Sequence, residues 1–168
     1  MSLSWRVEQL LYLMGPAYLA NMTPPFLRFW KGWNPPISER WLGSHKTVIG
    51  AAAGTTVAIV AAFVQSRIQW QGSVIDYASW PTIGLLLGVG AMGGDAAKSF
   101  LKRRRGIAPG ERWVPADQLD FVIGALILIA PAVKFSWADV AIILAASFVG
   151  DIVVNQLAYR LGIRASAW

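Results

Sequence analysis

Five apolar stretches run through this 168-residue chain, at roughly Val7 to Thr23, Val48 to Gln65, Trp80 to Gly94, Asp117 to Val133 and Trp137 to Tyr159. Each approaches the ~20 residues that a helix needs to cross the hydrocarbon of a bilayer. Backbone polar groups in lipid have no water to bond, and a helix satisfies them within one segment. The third stretch continues beyond Gly94 as a polar helix toward Lys102. A water-facing fold is a poor alternative. Hydrophobic residues make up 55% of the chain and charged ones 14%, against about 25% charged in an ordinary soluble domain. Mean hydropathy is +0.47, and a domain of this size is mostly surface. The same apolar content excludes disorder. The expected fold is all-α: a polytopic integral membrane protein with about five transmembrane helices in one bundle. It forms a single domain over 1–168, with polar loops at about 24–47 and 102–117. Trp80, Trp137 and Tyr159 stand where interfacial aromatics belong, and Pro81 suits a first helical turn. The first stretch reads as a span rather than a cleavable leader, because no A-x-A site follows Tyr18 and Glu8 sits close to Arg6.

Loop charge sets the expected orientation. Arg28, Lys31, Arg40 and Lys46 lie between the first two spans. Lys98, Lys102, Arg103, Arg104, Arg105 and Arg112 surround the third connection, and Arg160 and Arg164 follow the fifth span. The opposite side carries only Arg6, Arg67 and Lys134. Cytoplasmic loops are the basic ones, which predicts an external N-terminus and a cytoplasmic C-terminus. The net charge of +6 then reflects topology and anionic ligands or lipids rather than nucleic acid. There is no cysteine, which excludes disulfides, thiolate metal sites and a cysteine nucleophile.

Ionisable residues in or beside a span are costly and need a reason. Asp95 follows Gly90, Gly93 and Gly94, and Lys98, Ser99 and Lys102 fall at i+3, i+4 and i+7 from it. These four residues share one helical face, and the glycines let another helix or a ligand approach the backbone. Asp117 and Asp120 open the fourth span at i, i+3, with Gly124 one turn deeper. By the predicted topology all three acids lie at one depth on the cytoplasmic side, together with Lys102 to Arg105 and Lys46. Acids among so many bases suit a divalent metal that holds a polyphosphate. Each piece also has a plainer role. Asp117 and Asp120 serve as N-terminal capping acids, Asp95 pairs with Lys98, and the basic run marks topology. His45 has no ligand partner at suitable spacing. Asp151 and Asn155, at i+4, form an interhelical hydrogen-bonding pair first and a site second.

The segment GGDAAKSFLKRRRGIAPGERWVPADQLDF, Gly93 to Phe121, resembles the signature region of the CDP-archaeol synthases, an archaeal family related to the CDP-diacylglycerol synthases. Its Ser-x-x-Lys-Arg element is Ser99, Lys102 and Arg103. Its closing D-x-x-D element is Asp117 and Asp120, with Gln118 where the diacylglycerol enzymes usually carry Arg. Three more pieces are similar: Tyr18 to Pro25, the Lys46-Thr47 pair followed by Gly50, and the tail with Asn155, Tyr159, Gly162 and Trp168. Two positions depart from the family pattern. Val48-Ile49 stands where Trp-Arg is usual, and Asp151 stands where a His is expected.

The resemblance implies a CTP-dependent nucleotidyltransferase. Its lipid substrate is an isoprenoid glycerol ether phosphate, and its products are a CDP-activated lipid and pyrophosphate. The lipid phosphate is itself the nucleophile, so catalysis rests on positioning and electrostatics. The implied roles are Asp95, Asp117 and Asp120 on one or two Mg²⁺ ions, and Lys102 and Arg103 on the triphosphate with Ser99 and Lys46 assisting. Lys98 and Arg104 are the candidates for the lipid phosphate, and Asn21 and Asn155 for cytosine. Asp95, Lys102 and Asp120 form the catalytic core of this reading. The prenyl chains are expected in a groove between helices, and the site is expected at the cytoplasmic face of the cell membrane. Two rivals remain: the same reaction on phosphatidic acid, and a small ion- or proton-coupled transporter. CDP-alcohol phosphotransfer is excluded, because its longer aspartate motif is absent.

Overall fold

The structure is a computed structural model that describes residues 2–108 and 111–162, with Arg28 and Phe29 described by backbone alone. Arg164, which counts toward the loop charge, and Trp168 of the tail resemblance lie outside the described residues. The helices are α1 (Leu3–Met22), α2 (Glu39–Leu42), α3 (Val48–Ile68), α4 (Trp80–Arg104), α5 (Ala116–Ile129) and α6 (Trp137–Arg160). A helix stands at each of the five predicted stretches, and α2 adds one short turn within the first loop. Among the described residues the one β-type pairing is an isolated bridge between Pro36 and Thr47.

Local chemistry sets the ends. The Ser2 hydroxyl accepts from the Trp5 amide, so α1 begins ahead of the apolar run. Thr47 caps α3 by accepting from the Gly50 amide at 3.1 Å. Ser136 and Asp139 form a capping box at the start of α6. Helix α5 stops at Ile129, earlier than the predicted Val133. Pro131 has no N–H with which to continue the hydrogen-bond ladder.

Cross-contacts fix the direction of each helix. At one end Arg6 meets Asp139 in a two-pronged pair of 2.7 and 2.8 Å. That hydrogen bond raises the Arg6 pKa above its ordinary value, against the lowering effect of burial. At the same end Gln65 donates to the Tyr12 carbonyl at 2.6 Å, and Phe63 packs edge-on against Trp80. At the other end Lys46, just ahead of α3, meets Asp95 late in α4, and Lys98 meets the first turns of α5. The long helices therefore alternate in direction.

The core is drawn from Leu10, Leu13, Met14 and Ala17 of α1, Ala58 and Ala62 of α3, Leu87 and Ala91 of α4, Val122, Ala125 and Ile129 of α5, and Ile143 of α6. Many large apolar side chains face outward instead, among them Val60, Phe63 and Val64 on α3, Val149 and Val153 on α6, and Trp137 at 90% exposure. A water-soluble monomer rarely shows so much contiguous apolar surface; a bundle in lipid does. Among the described residues, α3 and α6 are each long and apolar enough to cross a membrane, both at a mean hydropathy of 1.9.

Helices α4 and α5 make the closest crossing in the polar half of the bundle. A Cβ on Gly94 would fall on the Asp120 carbonyl, and one on Gly124 on the Gly90 carbonyl. Small residues let two backbones meet in this way. Gly93, one position earlier, faces open space.

Candidate active site

The end of the bundle with the α4–α5 crossing collects the polar residues. Asp95, Lys98, Ser99 and Lys102 follow one another down one face of α4, as their spacing predicts. Asp117 and Asp120 come from the first turns of α5, and Lys46 from the loop before α3. The Lys98 ammonium stands among all three acids, 2.6 Å from Asp120 Oδ2, 3.2 Å from Asp95 Oδ1 and 3.3 Å from Asp117 Oδ1. Lys46 pairs with the second Asp95 oxygen. Lys102 lies 3.1 and 3.2 Å from the two oxygens of Asp117, and it also donates to the Glu111 carbonyl. The side chains of Asp120 and Lys102 are only 5% and 8% exposed, so these are not solvated surface pairs.

Backbone donors hold the acids in place. Asp117 Oδ2 accepts from the Trp113 amide at 2.6 Å, and Asp120 Oδ1 accepts from the Phe121 amide at 2.6 Å. The N-cap position of α5 is Pro115, so Asp117 does not serve as the cap. It reaches back from inside the first turn to Trp113. The Ser99 hydroxyl donates to the Asp95 carbonyl at 2.9 Å, which turns it toward its own helix.

The outlying cations differ among themselves. Arg103 has a buried Nε without a hydrogen-bond partner, a donor available to an anion. Arg104 lies over the rings of Trp41 and Phe100, at 5.4 and 5.2 Å from their centroids. Arg105 lies 4.8 Å from the Trp113 ring centroid. Trp41 thereby ties the first loop to α4. Asn21 lines a separate cavity of about 250 Å³ between α1, α5 and α6, together with Tyr18, Phe121, Gly150 and Asp151. Asn155 donates to Asp151 at 2.7 Å. The Glu111 carbonyl was missed from sequence, since a backbone contact leaves no mark in residue type.

The donor set suits a hard cation: three carboxylates from two helices converge on one point. Among the described residues they do not form a ready-made metal cage; they close around an ammonium instead. Mg²⁺ is usually held by one or two carboxylates and substrate phosphates, and the carboxylates present can supply that number.

A family pattern for CarS-like CDP-archaeol synthases matches residues 6–168. The CDP-archaeol synthase of Methanospirillum hungatei is 33% identical over 166 residues, covering 92% of this chain and all of that protein. That of Aeropyrum pernix is 33% identical and covers all of this chain and 98% of the relative. That of Saccharolobus islandicus is 34% identical over 95% of this chain and 93% of its own length. A solved structure of an intramembrane enzyme for archaeal membrane lipids biosynthesis matches with a TM-score of 0.66 and 29% identity, over 86% of this chain and 91% of that one. By pattern, by full-length identity and by fold, this chain belongs to the CDP-archaeol synthase family.

Proposed function

We propose that this chain is a membrane cytidylyltransferase that makes CDP-archaeol, in its unsaturated form, from CTP and an isoprenoid glycerol ether phosphate. The observation that carries this reading is the convergence of three aspartates and three lysines at one end of the bundle, from the first loop, α4 and α5. An oxygen of the lipid phosphate forms a bond to the α-phosphorus of CTP, and the bond to the departing pyrophosphate breaks. No proton has to be removed from the nucleophile. The protein's work is to bring two anions together and to balance the charge that develops.

In this reading Asp95, Asp117 and Asp120 hold Mg²⁺, which when bound neutralises phosphate charge and orients the triphosphate. Lys102 and Arg103 hold the triphosphate, with Lys46 alongside. The unpartnered Arg103 Nε supports that role. The cavity between α1, α5 and α6 is walled by Leu11, Tyr18, Met22, Phe121 and Val154, a suitable lining for a prenyl chain. The bundle crosses the membrane five times with this end in the cytoplasm, a reading supported by the basic residues gathered at the same end as the acids.

The test is pyrophosphate release by detergent-purified protein with CTP and Mg²⁺. Parallel reactions contain the digeranylgeranyl ether phosphate, phosphatidic acid or no lipid. Release with the ether lipid is expected, together with loss in Asp95→Asn and Asp120→Asn by at least about 10²-fold, the usual scale for removing a charge-stabilising group. Release with phosphatidic acid alone overturns the substrate. Full Mg²⁺-dependent turnover in a well-folded Asp120→Asn protein overturns the metal assignment.

A further inference from the structure

Lys98 occupies the position among the acids where a cation is wanted, and it is the only side chain that touches all three of them among the described residues. The sequence points to it as a partner of Asp95 and as a candidate for the lipid phosphate. We propose that the Lys98 ammonium is a resident counter-ion that excludes divalent metal until nucleotide arrives, and that it moves to a phosphate oxygen when metal and CTP enter together. This inference rests on the proposed Mg²⁺ site and adds an order of binding to it.

Charge balance carries the argument. Asp95, Asp117 and Asp120 face Lys46, Lys98 and Lys102, so the cluster is neutral as it stands. A divalent ion that enters alone meets an ammonium at the centre of its own donor set and leaves a partly buried site with two positive charges in excess. Low-dielectric surroundings strengthen that repulsion. A triphosphate brings the missing negative charge and gives the displaced ammonium a partner. The move is mechanically simple, because lysine is a compact charge on a flexible four-carbon stem. Lys46 and Lys102 do not stand in the way to the same degree, since each pairs with a single carboxylate from the side. Metal and nucleotide affinities are therefore coupled, and each ligand raises the affinity for the other by the same factor.

The experiment is Mn²⁺ titration followed by electron paramagnetic resonance on the full chain in detergent, first without nucleotide. Wild-type protein should bind Mn²⁺ weakly. Lys98→Met, which keeps the apolar stem, and Lys98→Ala should bind it more tightly by about tenfold or more, within the usual 5- to 150-fold range of site coupling. Lys98→Arg should remain weak. Lys46→Ala and Lys102→Ala remove the same charge and should show a clearly smaller gain. A gain of equal size in all three lysine positions means general electrostatics and overturns the proposal, as does unchanged affinity in folded Lys98→Met. A second series with CTP separates the two levels of the argument. Mn²⁺ bound with CTP but unaffected by Lys98 sinks this inference and spares the metal reading, whereas no Mn²⁺ in any protein, with or without CTP, removes both.

Discussion

Alanine at position 94 tests whether the α4–α5 crossing positions the site. A methyl there lands on the Asp120 carbonyl oxygen, with the Asp120 carbonyl carbon at 2.9 Å and the Gly124 Cα at 3.2 Å. An ordinary contact starts near 3.4 Å, so the two helices must part by about an ångström. The obstacle is backbone, which cannot rotate aside. Overpacking of this kind costs about 1–3 kcal/mol. The geometric effect is sharper than the energetic one. Lys98 and Asp120 form a 2.6 Å ion pair across this same crossing, and parting the helices either stretches that pair or forces the lysine stem to re-extend. Gly94→Ala should therefore lower the melting temperature and cut pyrophosphate release at a temperature where the protein is still folded. Gly93→Ala is the matched control. Its new methyl meets nothing within 4 Å, and alanine is about 1 kcal/mol better than glycine inside a helix. That variant should melt at the same temperature or higher, with full activity. If the two variants behave alike, the close crossing is not what positions the site.

Contacts elsewhere in the bundle carry three more expected outcomes. Asp139→Asn removes the charged partner of Arg6 and weakens the α6 capping box; it should cost about 1–3 kcal/mol in stability and leave turnover of the folded protein intact, because it acts at the far end of the bundle. A large loss of turnover without loss of melting temperature would contradict that separation. Trp41→Ala removes the ring that meets Phe100 at 5.7 Å and underlies Arg104, a loss of about 1–2 kcal/mol, and trypsin should then cut faster after Arg40 and Lys46. Gly150→Leu projects into the space between α1 and α6 where a Cβ meets nothing. It should raise the KM for the lipid severalfold and leave the KM for CTP unchanged; an equal rise in both would place the prenyl chain elsewhere.

Helix positions were legible because apolar length alone nearly dictates them, and the α4 face was legible because i+3, i+4 and i+7 spacing depends only on helical pitch. The glycine contact was half legible. Gly90, Gly93 and Gly94 announced a close approach, but spacing does not say which of them faces the neighbour, and Gly93 does not. Pairing was legible only for Asp95 and Lys98, whose i+3 spacing predicts the 3.2 Å contact that forms. Nothing in the order Asp95, Lys98, Lys102 tells which lysine goes to the centre, since that depends on the height at which α5 crosses α4. The rotation that puts Asp120 beside Gly94 brings Lys98 over all three acids and sends Lys102 to Asp117 and the Glu111 carbonyl. Nothing in the local sequence singles out Trp41. Its role against Arg104 depends on where a long loop returns to α4, and local pattern does not encode that.

The balance of charge at this site also bears on how such a chain enters a membrane. An uncompensated carboxylate at a helix centre costs about 2.5–3.5 kcal/mol on insertion scales, and three of them near one border would strain a bundle this small. Each acid here has a lysine: Lys46 for Asp95, Lys98 for Asp120 and Lys102 for Asp117. The cluster is therefore neutral by itself, and the bundle can assemble before any metal or nucleotide is bound. In the proposed reaction the same lysines would be the cations that receive phosphate. Two demands thus fall on one set of residues, and they separate under mutation. Charge removal at any of the three disturbs assembly as well as chemistry, while Lys→Arg keeps the neutral bundle and alters only the reach and shape of the donor. A Lys98→Arg protein that melts like wild type and turns over slowly would isolate the chemical role; one that melts early would mean that the compact ammonium is needed for packing itself.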